Sequence, residues 1–283
     1  MNTRIQTNGI HLNVVQEGPE DSPLLIFLHG FPEFSYAWKS QLSYFAERGY
    51  RVWAPDQRGC NLSDKPREVK AYNLDELAAD LVGLIDAAGE DQIYLVGHDW
   101  GAFVSWWVAA KYPERLKKVV ILNAPHGKVL KRHLRENKKQ KKRSRYMVYF
   151  QIPWLPERLA RHDNWKLATK ALTSTSLRGT FSEDDLEMYR QAWSQPGAFR
   201  ASINWYRASF RNAPPTPETS RISVPLLMIW GKQDMFLGHE MAQESIELCE
   251  KGELVMLEDA THWLHHEKPE MVNRLISNFI EGK

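Results

Sequence analysis

Apolar positions along the chain follow two rhythms. Residues Ile10 to Val15 alternate between apolar and polar, which predicts an early antiparallel strand closed by Gly18-Pro19. Leu24-Leu25-Ile26-Phe27-Leu28 is continuously apolar, as expected of a strand covered on both faces. Helical spacing runs from Tyr36 to Arg48, followed by a short strand at Arg51–Ala54. Leu74, Leu77, Ala78, Leu81 and Ile85 put one apolar stripe on a helix over Leu74–Ala88. A β-branched run from Gln92 to Val96 predicts the next strand, and Lys118–Leu122 another. The rhythm then breaks. From Lys128 to about Arg211 the chain reads as helical and aromatic, without clear strands. It resumes with strands at Pro225–Trp230 and Leu254–Leu257 and a helix near Glu270–Ile280. Alternating strands and helices predict an α/β class with a mostly parallel sheet flanked by helices. The expected organisation is a core of residues 1–126 and 213–283 interrupted by a helical cap, 127–212. That insertion belongs over the carboxyl ends of the strands, where open α/β sheets hold ligands.

The strand ending at Val96 runs into Gly97-His98-Asp99-Trp100-Gly101, and the apolar segment Phe103–Ala110 follows. Strand, sharp turn and helix with glycines on either side of Asp99 form a nucleophile elbow, with Asp where Ser is commoner. A bare N-cap would explain Asp99 alone. The order of the other groups favours a nucleophile. Asp234 follows one later strand, in Gly231-Lys232-Gln233-Asp234, and His262 follows the last, in Glu258-Asp259-Ala260-Thr261-His262. Nucleophile, acid and histidine then share one sheet edge. Asp259 is the rival acid but shares the loop of His262; His265 and His266 fit the opening of the last helix; His98 points away from the site and is structural. At a helix N-terminus the Asp99 carboxylate is expected to stay ionised.

Composition narrows the function classes. The 283 residues carry a net charge of +2, so no global field points to nucleic acid. The basic run Lys128–Arg145 lacks interleaved aromatics and reads as a solvated helix face or hinge. Two distant cysteines, Cys60 and Cys249, give neither a disulfide framework nor metal-ligand spacing, which suits a cytoplasmic protein. The first residues lack an apolar signal core and no run reaches membrane-spanning length. The expected partners are a small apolar substrate and water, in a monomer or homodimer.

A carboxylate nucleophile selects the chemistry. Attack on a carboxylic ester would give a mixed anhydride, whereas attack on an sp³ carbon gives a stable alkyl ester. Water activated by His262, itself oriented by Asp234, can then cleave that ester. The second step passes through an oxyanion, for which the backbone N–H groups of Phe31 (in His29-Gly30-Phe31-Pro32) and Trp100 are the expected donors. Neither metal nor organic cofactor is required. A halide leaving group needs no proton; an opened epoxide leaves as an alkoxide and needs an acid. Tyrosine, with an ordinary pKa of about 10, suits that task. The insertion offers Tyr146, Tyr149, Tyr189 and Tyr206, and chemistry alone leaves the choice among them open.

These residues resemble the epoxide hydrolase branch of the α/β-hydrolase family over essentially the whole chain. The carriers are His29-Gly30-Phe31-Pro32-Glu33, Asp56-Gln57-Arg58-Gly59, Gly97-His98-Asp99-Trp100-Gly101, and His262 with Glu267-Lys268-Pro269. Two insertion motifs, Tyr149-Phe150-Gln151 and Asn204-Trp205-Tyr206-Arg207, complete the likeness. The resemblance implies an α/β-hydrolase fold and hydrolysis of an epoxide to a vicinal diol. It also implies Tyr149 and Tyr206 as the groups that bind and protonate the epoxide oxygen. Haloalkane dehalogenases share the Asp-Trp pair but commonly place a halide-binding Asn where Phe31 stands. Fluoroacetate dehalogenases carry Arg in place of Trp100. A haloalkane dehalogenase and a hydrolase-fold ligand receptor are the alternatives.

Overall fold

The computed structural model describes residues 2–217 and 221–283. Met1, part of the leader reading above, and residues 218–220 of the second core stretch lie outside these. Eight strands form one sheet: β1 (Asn2–Thr7), β2 (Ile10–Glu17), β3 (Leu24–Leu28), β4 (Arg51–Pro55), β5 (Ile93–His98), β6 (Leu116–Leu122), β7 (Leu226–Gly231) and β8 (Gly252–Leu257). Their order is β1-β2-β4-β3-β5-β6-β7-β8. The β1–β2 and β2–β4 pairings are antiparallel and the others parallel. The sheet is therefore mostly parallel, as the apolar runs predict. β1 is the strand the sequence pattern missed: its residues are half-exposed at the sheet edge and carry no apolar run.

Among the described residues, twelve α-helices accompany the sheet. They are α1 (Lys39–Ala46), α2 (Leu74–Ala87), α3 (Trp100–Lys111), α4 (Gly127–Glu136), α5 (Lys138–Arg143), α6 (Arg145–Tyr149), α7 (Leu155–Thr175), α8 (Glu183–Ser194), α9 (Ala198–Arg211), α10 (Glu240–Ile246), α11 (Leu264–Glu267) and α12 (Pro269–Glu281). The helix expected over Tyr36–Arg48 opens instead as a 3-10 turn, Ser35–Trp38, before α1 begins. α2 starts where Asn73 accepts from the N–H groups of Asp75 and Glu76, a side-chain cap for orphan first-turn donors. α7 is broken at His162–Trp165, where the backbone leaves helical geometry.

Strand periodicity distributes the core. In β3, Leu24, Ile26 and Leu28 join an apolar cluster with α2 and α3, whereas Leu25 and Phe27 join a second with α1 and α12. Both faces are thus covered, which is why β3 and β7 are buried throughout. Among the described residues the chain between β6 and β7 forms helices α4 to α9 and a single β-bridge from Ile222 to Cys249. This unit has its own core of Trp165, Leu172, Leu186, Tyr189, Trp193, Phe199 and Ile203, closed against the sheet edge by Phe34 and Trp263. Indole and phenol donors fasten it there. Trp193 Nε1 donates to Pro32 O at 2.6 Å, Trp205 Nε1 to Arg58 O at 3.0 Å, and Tyr189 OH to a Glu33 carboxylate oxygen at 3.1 Å. Among the described residues no helix is long and apolar enough to cross a membrane. Cys60 and Cys249 are free and buried.

Candidate active site

The site grows from the end of β5. Asp99 adopts φ 48° and ψ −116°, a region non-glycine residues avoid and one found where the surrounding structure imposes it. Close packing imposes it here. A Cβ on Gly101 would lie 2.1 Å from Leu28 O, and one on Gly97 2.4 Å from Ser105 Oγ. Chain and strand can approach this tightly only through glycine. The Asp99 carboxylate does not cap α3: it accepts no hydrogen bond from that helix. It turns toward the loop after β3, where Phe31 N–H donates to Oδ1 at 2.9 Å. Its other oxygen, Oδ2, lies 3.5 Å from His262 Nε2. Burial alone would raise the carboxyl pKa. The hydrogen bond and charge of His262, the nearby His98 and the Phe31 amide outweigh it and hold the pKa below the usual range. Asp99 is therefore ionised as the sequence leads one to expect, but through these neighbours rather than through the N–H groups of α3.

His262 sits between two carboxylates. Its Nδ1 lies 2.7 Å from Asp234 Oδ2. Asp234 is fixed by the N–H groups of Phe236 and Leu237, which donate to Oδ1 at 2.7 and 2.9 Å. Asn123 adds a third donor, Nδ2 to Asp234 Oδ2 at 2.7 Å, and its own Oδ1 accepts from Gly231 N–H at 2.8 Å. Burial pulls the imidazole pKa down; Asp234 and then Asp99 push it up further, to about 10. The resting state at neutral pH is an imidazolium between two carboxylates. Asp259, the rival acid, is exposed and pairs with Lys268.

Beneath this row lies a second buried set. His98 Nδ1 is 3.0 Å from Glu33 Oε2, and its Nε2 is 2.9 Å from the carbonyl oxygen of His262. His266 Nε2 reaches Glu33 Oε1 at 2.7 Å. His98 is thus turned away from the nucleophile's face, as expected, yet it joins the elbow to the histidine loop. His265 and His266 do begin the short helix α11, but they also converge on Glu33. Glu33, His265 and His266 bring ligand atoms within 4.8 Å of one another, the one group of metal-ligand character among the described residues. Glu33 is already engaged by His98, His266 and Tyr189, so the group works as a hydrogen-bond hub.

Over Asp99 the helical unit supplies aromatic rings. Tyr206, on α9, packs edge-on against Phe31 and Trp100, with centroids 5.2 and 5.1 Å apart. Tyr146, on α6, packs 5.8 Å from both Tyr206 and Phe236. The two phenol rings meet edge to face. Burial first pushes both pKa values well up; the charge of Asp99 adds to this for Tyr146, and Tyr146 and then Asp99 add to it for Tyr206, so each phenol keeps its proton. Tyr149 does not take part. It is half-exposed, packs on Phe150 at 6.0 Å, and the carboxylate whose charge acts on it is Glu157 rather than Asp99. Tyr146, rather than Tyr149, therefore shares the space over Asp99 with Tyr206. Helix geometry explains the displacement. Phe150 points inward, 5.0 Å from Tyr206. The residue sharing its face is the one four back, Tyr146, and Tyr149 is about 100° away.

Trp100 opens α3, so its N–H is among the first-turn donors with no partner inside the helix. Phe31 N–H donates to the Asp99 carboxylate directly. The residues that sequence reasoning missed are Tyr146, Glu33 as the hub, and Asn123. The four-residue spacing puts Tyr146 on the face of Phe150, but does not say which way that face points. Asn123 followed a predicted strand but carried no motif.

A family model described as alpha/beta hydrolase fold matches residues 23–269. The AB hydrolase superfamily protein YfhM of Bacillus subtilis is 42% identical over 99% of this chain and 97% of its own. Epoxide hydrolase 4 of Homo sapiens is 36% identical over 98% of this chain and 78% of its own. The crystal structure of the Bacillus megaterium epoxide hydrolase in complex with an inhibitor superposes with a TM-score of 0.90 at 32% identity, covering 99% of this chain and all of that one. Matches of this length at these identities extend through both the sheet and the helical insertion, and the chain belongs to the epoxide hydrolase branch of the α/β-hydrolase family.

Proposed function

We propose that the protein hydrolyses an epoxide to a vicinal diol through an alkyl ester on Asp99. The observation that carries this reading is the pair of protonated phenols, buried Tyr206 and partly buried Tyr146, packed on each other and, through Tyr206, on Trp100 beside the buried Asp99 carboxylate. An attacking carboxylate facing proton donors is what ring opening needs; halide departure needs no such acid.

The ring carbon is attacked by Asp99 Oδ2, since Oδ1 is held by Phe31 N–H. As the C–O bond breaks, the two phenols donate to the developing alkoxide, and one proton passes to it. Esterification then removes the charge of Asp99, one of the two carboxylates that keep His262 protonated. The imidazolium becomes more acidic and returns the proton to the tyrosine pair through intervening water. Neutral His262, held at Nδ1 by Asp234, is then the base that deprotonates the water attacking the ester carbonyl. The oxyanion at Oδ1 meets the N–H groups of Phe31 and Trp100. Collapse releases the diol and restores the Asp99 carboxylate and the imidazolium, so protons balance over the cycle. The pairing of His262 with two carboxylates thus supports both steps.

The test is diol formation from styrene oxide beside halide release from a short haloalkane, with wild type and Asp99→Ala run together. Diol without halide, abolished in the variant, is the expected result. Halide without diol would overturn the reading.

A further inference from the structure

The run Lys128–Arg145 holds ten lysines and arginines and one glutamate, while the whole chain carries only +2, so the rest of the protein is net acidic. Part of this charge is spent internally: Arg132 and His133 both pair with Glu244 on α10. The larger part is not. Arg135, Lys138, Lys139, Lys141, Lys142 and Arg145 are exposed, and none pairs with a carboxylate among the described residues. The orientation of α5 is set by its one buried side chain. Gln140 donates to Phe236 O at 2.8 Å and accepts from Gly238 N–H at 3.0 Å, which leaves the lysines facing water.

Directly after this run the chain exposes bulky apolar groups. Trp154 and Val148 are 66% and 63% exposed, the two most exposed large hydrophobic residues among those described. Ile152 is also exposed, as is Phe210 at the end of α9. These lie together, because Arg207 donates to the carbonyls of Phe150 and Ile152 and Arg211 donates to Gln151 O, joining the end of α9 to this segment. Scattered single apolar residues on a surface need no partner, but a Trp-containing cluster abutting a row of free cations is a different object.

We propose that this outer face of the helical unit, Lys138–Trp154, docks on an anionic lipid surface. The cations match acidic headgroups, while Trp154, Val148 and Ile152 enter the interfacial layer, where Trp in particular partitions. The chemistry favours lipid over nucleic acid. A phosphate backbone would satisfy the lysines but leave valine and isoleucine side chains with nothing to bury against. The docking is peripheral: the exposed side chains that carry it are not those over Asp99, although Tyr146 and Phe150 belong to the same segment.

The experiment is co-sedimentation of the full chain with phosphatidylcholine vesicles, with and without about 30 mol% phosphatidylglycerol. Binding is expected only to the anionic vesicles and is expected to fall with added salt. Lys139→Glu/Lys141→Glu/Lys142→Glu is expected to weaken it at least about 10-fold with an unchanged melting curve. Trp154→Ser, which keeps every charge, is expected to weaken it too and to remove the blue shift of Trp fluorescence on binding. Equal binding to both vesicle types, binding to neither, or an unaltered charge-reversal variant would overturn the proposal. So would tight binding to a duplex DNA oligonucleotide by a protein that ignores the vesicles.

Discussion

Replacing Tyr146 and Tyr149 by phenylalanine separates two neighbours that the motif alone could not. The substitution removes one oxygen and keeps the ring, so the packing of Tyr146 on Tyr206 and Phe236, with centroids 5.8 Å apart in each case, is retained and the fold is expected to stand. What is lost under the proposed mechanism is one of two phenolic donors to the alkoxide. Removing a single preorganised donor to a developing oxyanion costs about 10²- to 10³-fold in rate, about 3–4 kcal/mol. The lower end applies to Tyr146→Phe, because Tyr206 remains to donate. A loss of about 10²-fold is therefore expected, confined to ester formation. Tyr149 has a half-exposed hydroxyl beside Glu157 and away from Asp99, so its loss is expected to change the rate less than about 2-fold, as ordinary surface changes do. The assay is single-turnover formation and decay of the enzyme–substrate adduct with styrene oxide, followed by quenched-flow mass measurement. Slow formation with ordinary decay in Tyr146→Phe is the expected signature. A defect of equal size in Tyr149→Phe with none in Tyr146→Phe would refute the placement of the proton donors, and a defect confined to decay would refute their role.

Two further outcomes follow from the same geometry. His262→Gln removes the base but not the nucleophile, so an adduct one substrate heavier than the protein is expected to accumulate, with decay slowed about 10²- to 10⁴-fold; intact-mass spectra without that adduct would count against separate steps. His262 also links stability to pH. Its folded pKa, raised to about 10, lies above an unfolded value near 6.5, so its contribution is fully present below about pH 6.5 and is lost as pH rises through about 10. Unfolding free energies from denaturant melts across that window are expected to fall more steeply in the wild type than in His262→Gln, by an amount on the order of a few kcal/mol, and parallel curves would sink the linkage.

Much of the fold was legible because its signals are local. The apolar run Leu24–Leu28 is the whole of β3, and the spacing from Leu74 marks α2 almost to its last residue. The edge strand β1 escaped because an edge needs no apolar run, and it is held by pairing with β2. The candidate site divides in the same way. Asp99, Asp234 and His262 are each tied to a strand end, so chain order sufficed to bring them together. Tyr146 depends on which way a short helix is rolled, and that is settled by contacts with Phe236 and Tyr206 from distant parts of the chain. Glu33 stood in plain view within a recognised motif. Its role comes from His98, His266 and Tyr189, at separations of 65, 233 and 156 residues, which no local pattern encodes.

The hydrogen bond from Phe31 N–H to Asp99 Oδ1 makes the two oxygens of one carboxylate unequal, and their histories diverge. Under the ester mechanism the pinned oxygen stays with the protein as the carbonyl that the amide polarises. Oδ2 leaves with the product, and the oxygen of the attacking water takes its vacant place. The hydroxyl installed on the substrate in any turnover is thus an atom the protein already carried, and the solvent's oxygen is delivered one cycle late. The side chain acts as a store that is emptied and refilled by a single atom each time. An amide 2.9 Å from the other oxygen decides which atom circulates.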